Sequence, residues 1–203
     1  MRWGGLVVCG GRSLRMGRDK ANLRFGSELL LQRMLRLLAD GLGPVPLAVA
    51  AAADQVLPAL PPEVLVTTDA IPQLGPLEGL HAGLTGLRHC CDAVVVTSCD
   101  APLLVPAVLP LLQETPGDWD AVVVSESDGR LHPLCSAWKL SALPAISRQR
   151  DSRNLRLQSL LQEVRTTFLP ATKLLSVDPQ LDSLHNINDP QALAWALQRA
   201  GLG

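Results

Sequence analysis

A glycine-rich, cationic segment near the start of the chain carries the strongest sign of chemistry. An apolar run over residues 6–8 leads into Cys9 and the adjacent glycines Gly10 and Gly11. Adjacent glycines let backbone N–H groups approach a phosphate or a base without a Cβ in the way. The pattern favours a loop that holds a nucleoside triphosphate, because a polyphosphate could be neutralised by the cations that follow: Arg12, Arg15, Arg18 and Lys20.

This loop differs from the two best-known phosphate-binding patterns. It matches neither Gly-x-x-x-x-Gly-Lys-Ser/Thr nor the dinucleotide fingerprint Gly-x-Gly-x-x-Gly. A glycine pair alone would favour a simple turn followed by a solvated basic surface. The strand, the glycine pair, the cations and Gly17 within one short window favour phosphate binding instead.

A carboxylate at the end of a later strand is the second candidate. The apolar residues 94–96 lead through Thr97, Ser98 and Cys99 to Asp100, and Pro102 follows. A carboxylate that faces bound phosphates is a natural ligand for Mg²⁺, which proteins usually hold with one or two carboxylates plus phosphates and water. From the residues alone, a helix cap near Val105 or an Asx turn before Pro102 is equally favoured.

Short apolar runs alternate with amphipathic stretches, and this pattern predicts an α/β fold in which a parallel sheet is joined by crossover helices. Ligands bind beyond the carboxyl ends of the strands in such a sheet. The loop 10–20, Asp69 and Asp100 each follow a strand, so we expect them to converge on one edge.

The predicted strands are 6–8, 47–50, 64–67, 93–97 and 121–124, each covered on both faces, with later strands at 134–138 and 166–169. The predicted helices are 29–39, 79–87, 105–113 and 190–200, the last with Asp189 as N-cap and Pro190 at its first position.

Composition narrows the class of protein. A chain of 203 residues fits one domain, so we expect a single domain over residues 1–203. A net charge of −1 gives no reason to expect a nucleic-acid or membrane partner. There is no apolar run of about 18 residues and no signal-peptide pattern, which leads us to expect a cytoplasmic protein. The five cysteines have no Cys-x-x-Cys spacing, so a zinc site is not expected.

The loop also carries a resemblance to a known family. Residues 10–20 fit Gly-Gly-x-Ser-x-Arg-Met-Gly-x-Asp-Lys, which resembles the signature of the molybdenum cofactor guanylyltransferases, the MobA family. Residues 99–102 resemble the family's Cys-Asp-x-Pro, and 75–79 its Gly-Pro-Leu-x-Gly. The resemblance spans residues 7–193. It implies a Rossmann-like three-layer α/β/α nucleotidyltransferase fold with a mainly parallel sheet.

On the nucleotide side, the resemblance implies that Asp100 binds Mg²⁺ and nucleotide and that Arg15 and Lys20 hold the β- and γ-phosphates. Asp69 would bind nucleotide, although without the resemblance an ordinary helix-cap or loop aspartate would be favoured. Gly75 would contact the guanosine part at the start of a helix. The implied backbone contacts to the nucleotide come from Val8, Cys9, Gly10 and Gly11.

On the acceptor side, residues 128–133 resemble the family's Asp-Gly-x-x-His-Pro, which implies that His132 faces the second substrate; a structural histidine is favoured from the residues alone. Arg153 matches a position where the family carries an arginine near the pterin, and a solvated helix start is equally favoured. Residues 186–193 resemble Asn-x-Asn-x-Pro-x-x-Leu. This match implies that Asn186 and Asn188 bind the acceptor, in addition to turns that cap the last helix.

The function implied by the resemblance is transfer of GMP from GTP to the terminal phosphate of molybdopterin or the molybdenum cofactor, with molybdoenzymes or their chaperones as further partners. The N-terminal half would bind nucleotide and the C-terminal half mainly the acceptor. Gly10-Gly11 favours GTP, whereas Ala50 lies where some relatives carry a nucleotide-binding asparagine. The alternatives are a CTP-dependent or sugar-phosphate nucleotidyltransferase, or a nucleotide-binding protein without turnover.

Overall fold

A central sheet of seven strands organises the chain. The structure, a computed structural model, describes residues 1–9, 19–68 and 75–203. The strands are β1 (Trp3–Val8), β2 (Arg24–Phe25), β3 (Glu28–Leu29), β4 (Leu47–Ala51), β5 (Leu65–Thr68), β6 (Ala93–Ser98), β7 (Ala121–Ser125), β8 (Leu131–Lys139) and β9 (Thr166–Pro170). The helices are α1 (Leu30–Leu42), α2 (Pro76–Leu87), α3 (Val108–Gln113), α4 (Leu143–Asp151), α5 (Leu157–Glu163) and α6 (Pro190–Arg199).

The strand order of the large sheet is β5-β4-β1-β6-β8-β7-β9, and β2 with β3 forms a separate two-stranded ribbon. β8 runs antiparallel to both of its neighbours, β6 and β7. The other four strand pairs of the sheet are parallel. The predicted α/β fold with a mainly parallel sheet is therefore confirmed.

Helices pack on both faces of this sheet and give three layers. On one face Val7 packs in the same apolar cluster as Leu38 of α1, and on the other face Leu6 and Val8 pack with Leu80 of α2. Alternation along β1 thus buries successive side chains in opposite layers. α2 lies close to the sheet, because a Cβ at Gly83 would come within 2.4 Å of the Leu6 side chain.

The start of α2 explains the Gly-Pro pair in the sequence. Gly75 is the N-cap residue and has φ = +67°, a left-handed conformation that glycine adopts without a Cβ penalty. Pro76 follows at the first helical position, where its fixed φ suits the helix and its missing N–H has no intrahelical partner to lose. At the other end of the chain, Asp189 caps α6 as predicted, with Oδ1 accepting from Ala192 N at 2.8 Å.

Three features of the fold differ from the sequence predictions. β5 is not covered on both faces: it is an edge strand, and Leu65 and Val66 are exposed. α4 and α5 were not predicted, and neither was the ribbon of β2 and β3.

In the described ranges, no helix combines the length and the apolar character that a membrane crossing requires.

Candidate nucleotidyl-transfer site

The carboxyl ends of β1 and β6 bring the first two sequence motifs together. Val8 and Ser98 are register partners in these parallel strands. Just past the pair, Cys99 N donates to Val8 O at 3.0 Å, and Cys9 N donates to Ala50 O at 2.8 Å. The parallel pairing of β1 and β6 therefore places Cys9 and Asp100 at the same edge of the sheet.

A cation, a carboxylate and an amide from three distant parts of the chain meet at this edge. Lys20 Nζ donates to Asp100 Oδ2 at 2.7 Å and to Asn188 Oδ1 at 3.0 Å. The Lys20 and Asp100 side chains are only 17% and 16% exposed. An ion pair so far withdrawn from water is stronger than one on the surface, and its charges are fixed where a phosphate could bind.

The second oxygen of Asp100 is left without a partner. In the described part of the chain, Oδ1 is buried and accepts no hydrogen bond. A shielded carboxylate oxygen with no donor is costly, and a cation at that oxygen would remove the cost. These described segments contain no cluster of three or more His, Cys, Asp or Glu side chains that could hold a metal on their own. A single carboxylate therefore suits an ion whose other ligands are phosphate oxygens and water. Mg²⁺ is usually coordinated in this way.

Lys20 is held in place from the side of β4. Asp19 Oδ1 accepts from Ala21 N at 2.9 Å and caps the short 3-10 turn that carries Lys20. The same oxygen accepts from Gln55 Nε2 at 2.8 Å, while Gln55 Oε1 accepts from Ala52 N at 3.1 Å. Gln55 thus joins the turn after β4 to the cap of Lys20.

The segment that carries the two asparagines is tied to the Asp100 loop. Ile187 N donates to Asp100 O at 2.7 Å, and Val105 N donates to Ser183 Oγ at 2.9 Å. The buried Asp178 carboxylate accepts the backbone N–H groups of Asp182 and Ser183, each at 2.9 Å. Asn188 is therefore placed by a network of main-chain bonds and not by its own side chain alone.

A cavity of about 300 Å³, here called the acceptor cavity, lies beside this cluster. Its polar lining includes Ser98, Arg130, His132 and Asn186. His132 Nε2 donates to Glu126 Oε1 at 2.7 Å, since an ionised carboxylate can only accept. A register shift in the β7–β8 ladder between Val123 and Val124 takes the residues after His132 out of regular pairing. The cavity offers one group suited to an anion, Arg130, whose Nε lies 3.8 Å from Glu126 Oε1.

A larger cavity lies away from these groups. It has a volume of about 890 Å³ and lies between α1 and residues 59–64, where Leu35, Leu47 and Leu60 are part of its lining. Its lining is mainly apolar, so it does not suit a polyphosphate. The acceptor cavity at the carboxyl edge has the larger share of polar lining and lies beside Lys20 and Asp100.

Comparison with known proteins decides the family. A family model described as "MobA-like NTP transferase domain" matches residues 5–167. The chain belongs to the MobA-like NTP transferase family. It is 33% identical over 204 residues to the molybdenum cofactor guanylyltransferase of Rhizobium leguminosarum bv. trifolii, covering 95% of this chain and 90% of that one. The Rhizobium johnstonii protein of the same name is 32% identical, with the same coverage.

A solved structure supports the same fold. The crystal structure of molybdopterin-guanine dinucleotide biosynthesis protein A from Archaeoglobus fulgidus superposes with a TM-score of 0.80, at 23% identity and 98% coverage of both chains. The MobA-like chain is thus a nucleotidyltransferase with the three-layer fold that its sequence predicts.

The structure brings together several of the predicted site residues. Lys20, Asp100 and Asn188 meet directly, whereas His132 and Asn186 line the neighbouring cavity. Val8 and Cys9 lie at this edge of the MobA-like chain but are only 3% and 7% exposed, and Val8 O and Cys9 N are already bonded to Cys99 N and Ala50 O. The predicted Gly10, Gly11, Arg15 and Asp69 lie outside the described residues.

Arg153 has a different setting from the other predicted residues. It lies in the turn between α4 and α5 with φ = +57°, and its side chain is exposed. It is not among the described residues that line the acceptor cavity, although Leu157 is. Its contact with the acceptor remains a prediction.

Sequence reasoning missed Gln55 and Glu126. Ala50, near the end of β4, offers no polar side chain to a nucleotide, but Gln55 follows five residues later and contacts Asp19. Glu126 precedes the Asp-Gly-x-x-His-Pro pattern and has no motif of its own. Nothing local in the sequence shows that its carboxylate pairs with His132.

Proposed function

We propose that this MobA-like nucleotidyltransferase transfers GMP from GTP to the terminal phosphate of molybdopterin or the molybdenum cofactor, and that it releases pyrophosphate. The names of the Rhizobium relatives support this reaction. The observation that carries it is the Lys20–Asp100 pair with its orphaned Oδ1, which suits a metal-bound triphosphate at the carboxyl edge.

The acceptor phosphate is already an anionic nucleophile, so the reaction needs no general base. Catalysis would come from aligning that phosphate with the α-phosphorus and from stabilising negative charge on the leaving pyrophosphate. In this proposal Lys20 binds the β- and γ-phosphates together with Arg15, and releases Asp100 when it does so. Asn188 keeps the ammonium group oriented between its two positions.

Asp100 would hold Mg²⁺ through the carboxylate that now pairs with Lys20. The ion supplies charge neutralisation at the phosphates when it is bound. The buried Oδ1 supports this assignment, because it is an acceptor already withdrawn from water and without a donor in the described chain. The backbone around Asp100 is fixed by the bond from Ile187 N, so the carboxylate is positioned before the nucleotide arrives.

We assign the acceptor to the C-terminal half of the chain and the nucleotide mainly to the N-terminal half. Arg130 suits the acceptor phosphate by charge, His132 lines the same cavity, and Asn186 can both donate and accept. Arg153 would contact the acceptor from the edge of this region. A molybdoenzyme or its chaperone would take up the product.

Nucleotide choice tests this proposal against the CTP-dependent alternative. Each of GTP, CTP, ATP and UTP, labelled at the α-phosphorus, would be incubated with the full chain, Mg²⁺ and molybdopterin. The proposal expects the label of GTP alone to appear in a pterin dinucleotide. Label from CTP would keep the chemistry and overturn the base assignment, and no labelled product from any nucleotide would overturn the activity.

A further inference from the structure

A second small cavity lies beyond the carboxyl ends of β7 and β9, and its lining combines apolar side chains with a few polar groups. It has a volume of about 310 Å³ and is here called the distal cavity. Its lining includes Ser125, Glu126, Ser127, Pro170, Thr172 and Leu181. These residues follow the ends of two parallel strands, which is where open α/β sheets bind ligands.

Glu126 connects the distal cavity to the acceptor cavity. Its side chain lines the distal cavity, and its Oε1 accepts from Nε2 of His132, which lines the acceptor cavity. The backbone makes the same connection, because Leu181 lines one cavity and Ser183 lines the other. The two cavities are therefore neighbours that share a wall.

The two cavities differ in the charge they suit. Arg130 gives the acceptor cavity a group that favours an anion. The distal cavity offers one carboxylate and three hydroxyl groups, and none of its described lining residues is Lys, Arg or His, although Arg130 Nε lies 3.8 Å from Glu126 Oε1 at the shared wall. The distal cavity therefore favours a neutral group with N–H donors over a phosphate.

The Glu126 carboxylate has capacity for further hydrogen bonds. A carboxylate offers about four lone-pair sites, and both described contacts, the bond from His132 and the approach of Arg130 Nε to 3.8 Å, are made at Oε1. The bond from His132 also fixes the orientation of the carboxylate. Two donors that lie side by side on a planar ring could therefore bind to it together, as donor pairs bind to carboxylates elsewhere.

We infer that the distal cavity is the subsite for the ring end of the acceptor, and that Glu126 recognises a heterocycle with an amino group beside a ring N–H, as in a 2-amino-4-oxopteridine. This inference rests on the proposed function. The order β6-β8-β7 places the end of β7 two strand spacings, roughly 10 Å, from the end of β6. The acceptor lies across these strands, with its phosphate toward Asp100 and its ring toward Glu126.

Binding of two ring probes to the full chain tests the inference without turnover. The probes are pterin and lumazine, in which an oxygen replaces the 2-amino group. Wild-type chain should bind pterin at least about tenfold more tightly than lumazine, because a site built around a donor pair rejects an analogue that lacks one donor. Glu126→Gln should abolish that preference. Glu163→Gln, which removes an exposed carboxylate at the end of α5, should keep it.

Each result supports or overturns the inference. Equal binding of the two probes by wild-type chain, or a preference that survives Glu126→Gln, would overturn it. An unchanged melting curve and GTP affinity in Glu126→Gln would show that the variant is folded. GMP transfer to molybdopterin is measured in parallel: transfer without probe preference would overturn the subsite alone, and preference without transfer would overturn the proposed function alone.

Discussion

Lys20 Nζ lies 2.7 Å from Asp100 Oδ2, and this contact joins residues 80 positions apart. Lys20 follows β1 in the chain and Asp100 lies just past the end of β6, so the parallel pairing of these two strands brings both residues to the same edge of the sheet. The pair carries a charge of each sign into a region where both side chains are mostly withdrawn from water. When a triphosphate and its cation bind, Lys20 could pair with the triphosphate and Asp100 with the cation.

Lys20→Met should lower the catalytic efficiency with GTP without unfolding the chain. The variant keeps the aliphatic stem and removes the ammonium group, so kcat/KM for GTP should fall by about 10²-fold, as for the loss of one well-placed charged donor. Lys20→Arg should restore it only in part, because a planar guanidinium does not reproduce a compact ammonium. Steady-state kinetics measures both. Full activity in Lys20→Met would contradict the assigned role.

Asn186 and Asn188 should separate kinetically, although they lie two positions apart. Asn188 contacts Lys20, whereas Asn186 lines the acceptor cavity. Asn188→Ala should therefore raise the KM for GTP, and Asn186→Ala should raise the KM for the acceptor and leave that for GTP unchanged. Each substitution removes about one hydrogen bond, which contributes about 1 kcal/mol to binding, so the affected KM should rise several-fold. Identical profiles for the two variants would show that the segment acts only as a structural unit.

Asp120 should make a pH-dependent contribution to stability. Hydrogen bonds from Arg165, with help from Ser141, lower the pKa of this carboxyl well below its usual range. Because the folded pKa is lower than that of the unfolded chain, about 3.9, the stabilisation is present above that pH and is lost as the pH falls toward the folded pKa. Asp120→Asn should lower the free energy of unfolding by about 1–2 kcal/mol at pH 7.

Asp118→Asn is the matched control, since Asp118 also contacts Arg165 but its side chain is 75% exposed. It should cost less than 1 kcal/mol, roughly the upper limit for an exposed pair. Denaturant unfolding of both variants between pH 3 and pH 7 makes the comparison. A deficit in Asp120→Asn that did not shrink below about pH 4 would contradict the linkage.

The five cysteines should differ sharply in reactivity. Burial raises the pKa of Cys91 to about 11 and that of Cys135 to about 12, and a hydrogen bond with Cys99 together with burial raises the pKa of Cys9. Cys90 is the exposed thiol. Since the thiolate is the reactive form, a disulfide reagent at pH 8 should label Cys90 rapidly and the four buried thiols only after unfolding. Cys90→Ser should abolish the rapid phase.

The sequence predicted the part of the site that depends on local signals. Gly10 to Lys20 and Asp100 each follow a short apolar strand, and a parallel sheet collects such strand ends at one edge. The apolar spacing predicts a helix only from residue 79, whereas α2 begins at Pro76 after the N-cap Gly75, as the family resemblance implies. A simple packing rule was sufficient for the strand ends.

The remaining features depend on long-range pairing. No local pattern shows that β8 inserts antiparallel between β6 and β7, and that insertion creates the contact of His132 with Glu126. The exposure of Leu65 and Val66 depends on β5 being last in the strand order. Gln55 acts through Asp19, which is 36 positions away. Such contacts follow from the strand order of the sheet, and no short segment of the sequence indicates that order.

The most direct measurement is a single-turnover assay of GMP transfer to molybdopterin by wild-type chain and by Asp100→Asn, with Mg²⁺ varied and GTP binding measured in parallel. The isosteric variant should lose at least about 10²-fold in rate while its GTP affinity changes much less, because the substitution removes the charge that holds the cation. A rate close to that of wild type at every Mg²⁺ concentration would show that Asp100 does not hold the cation and would overturn the proposed site.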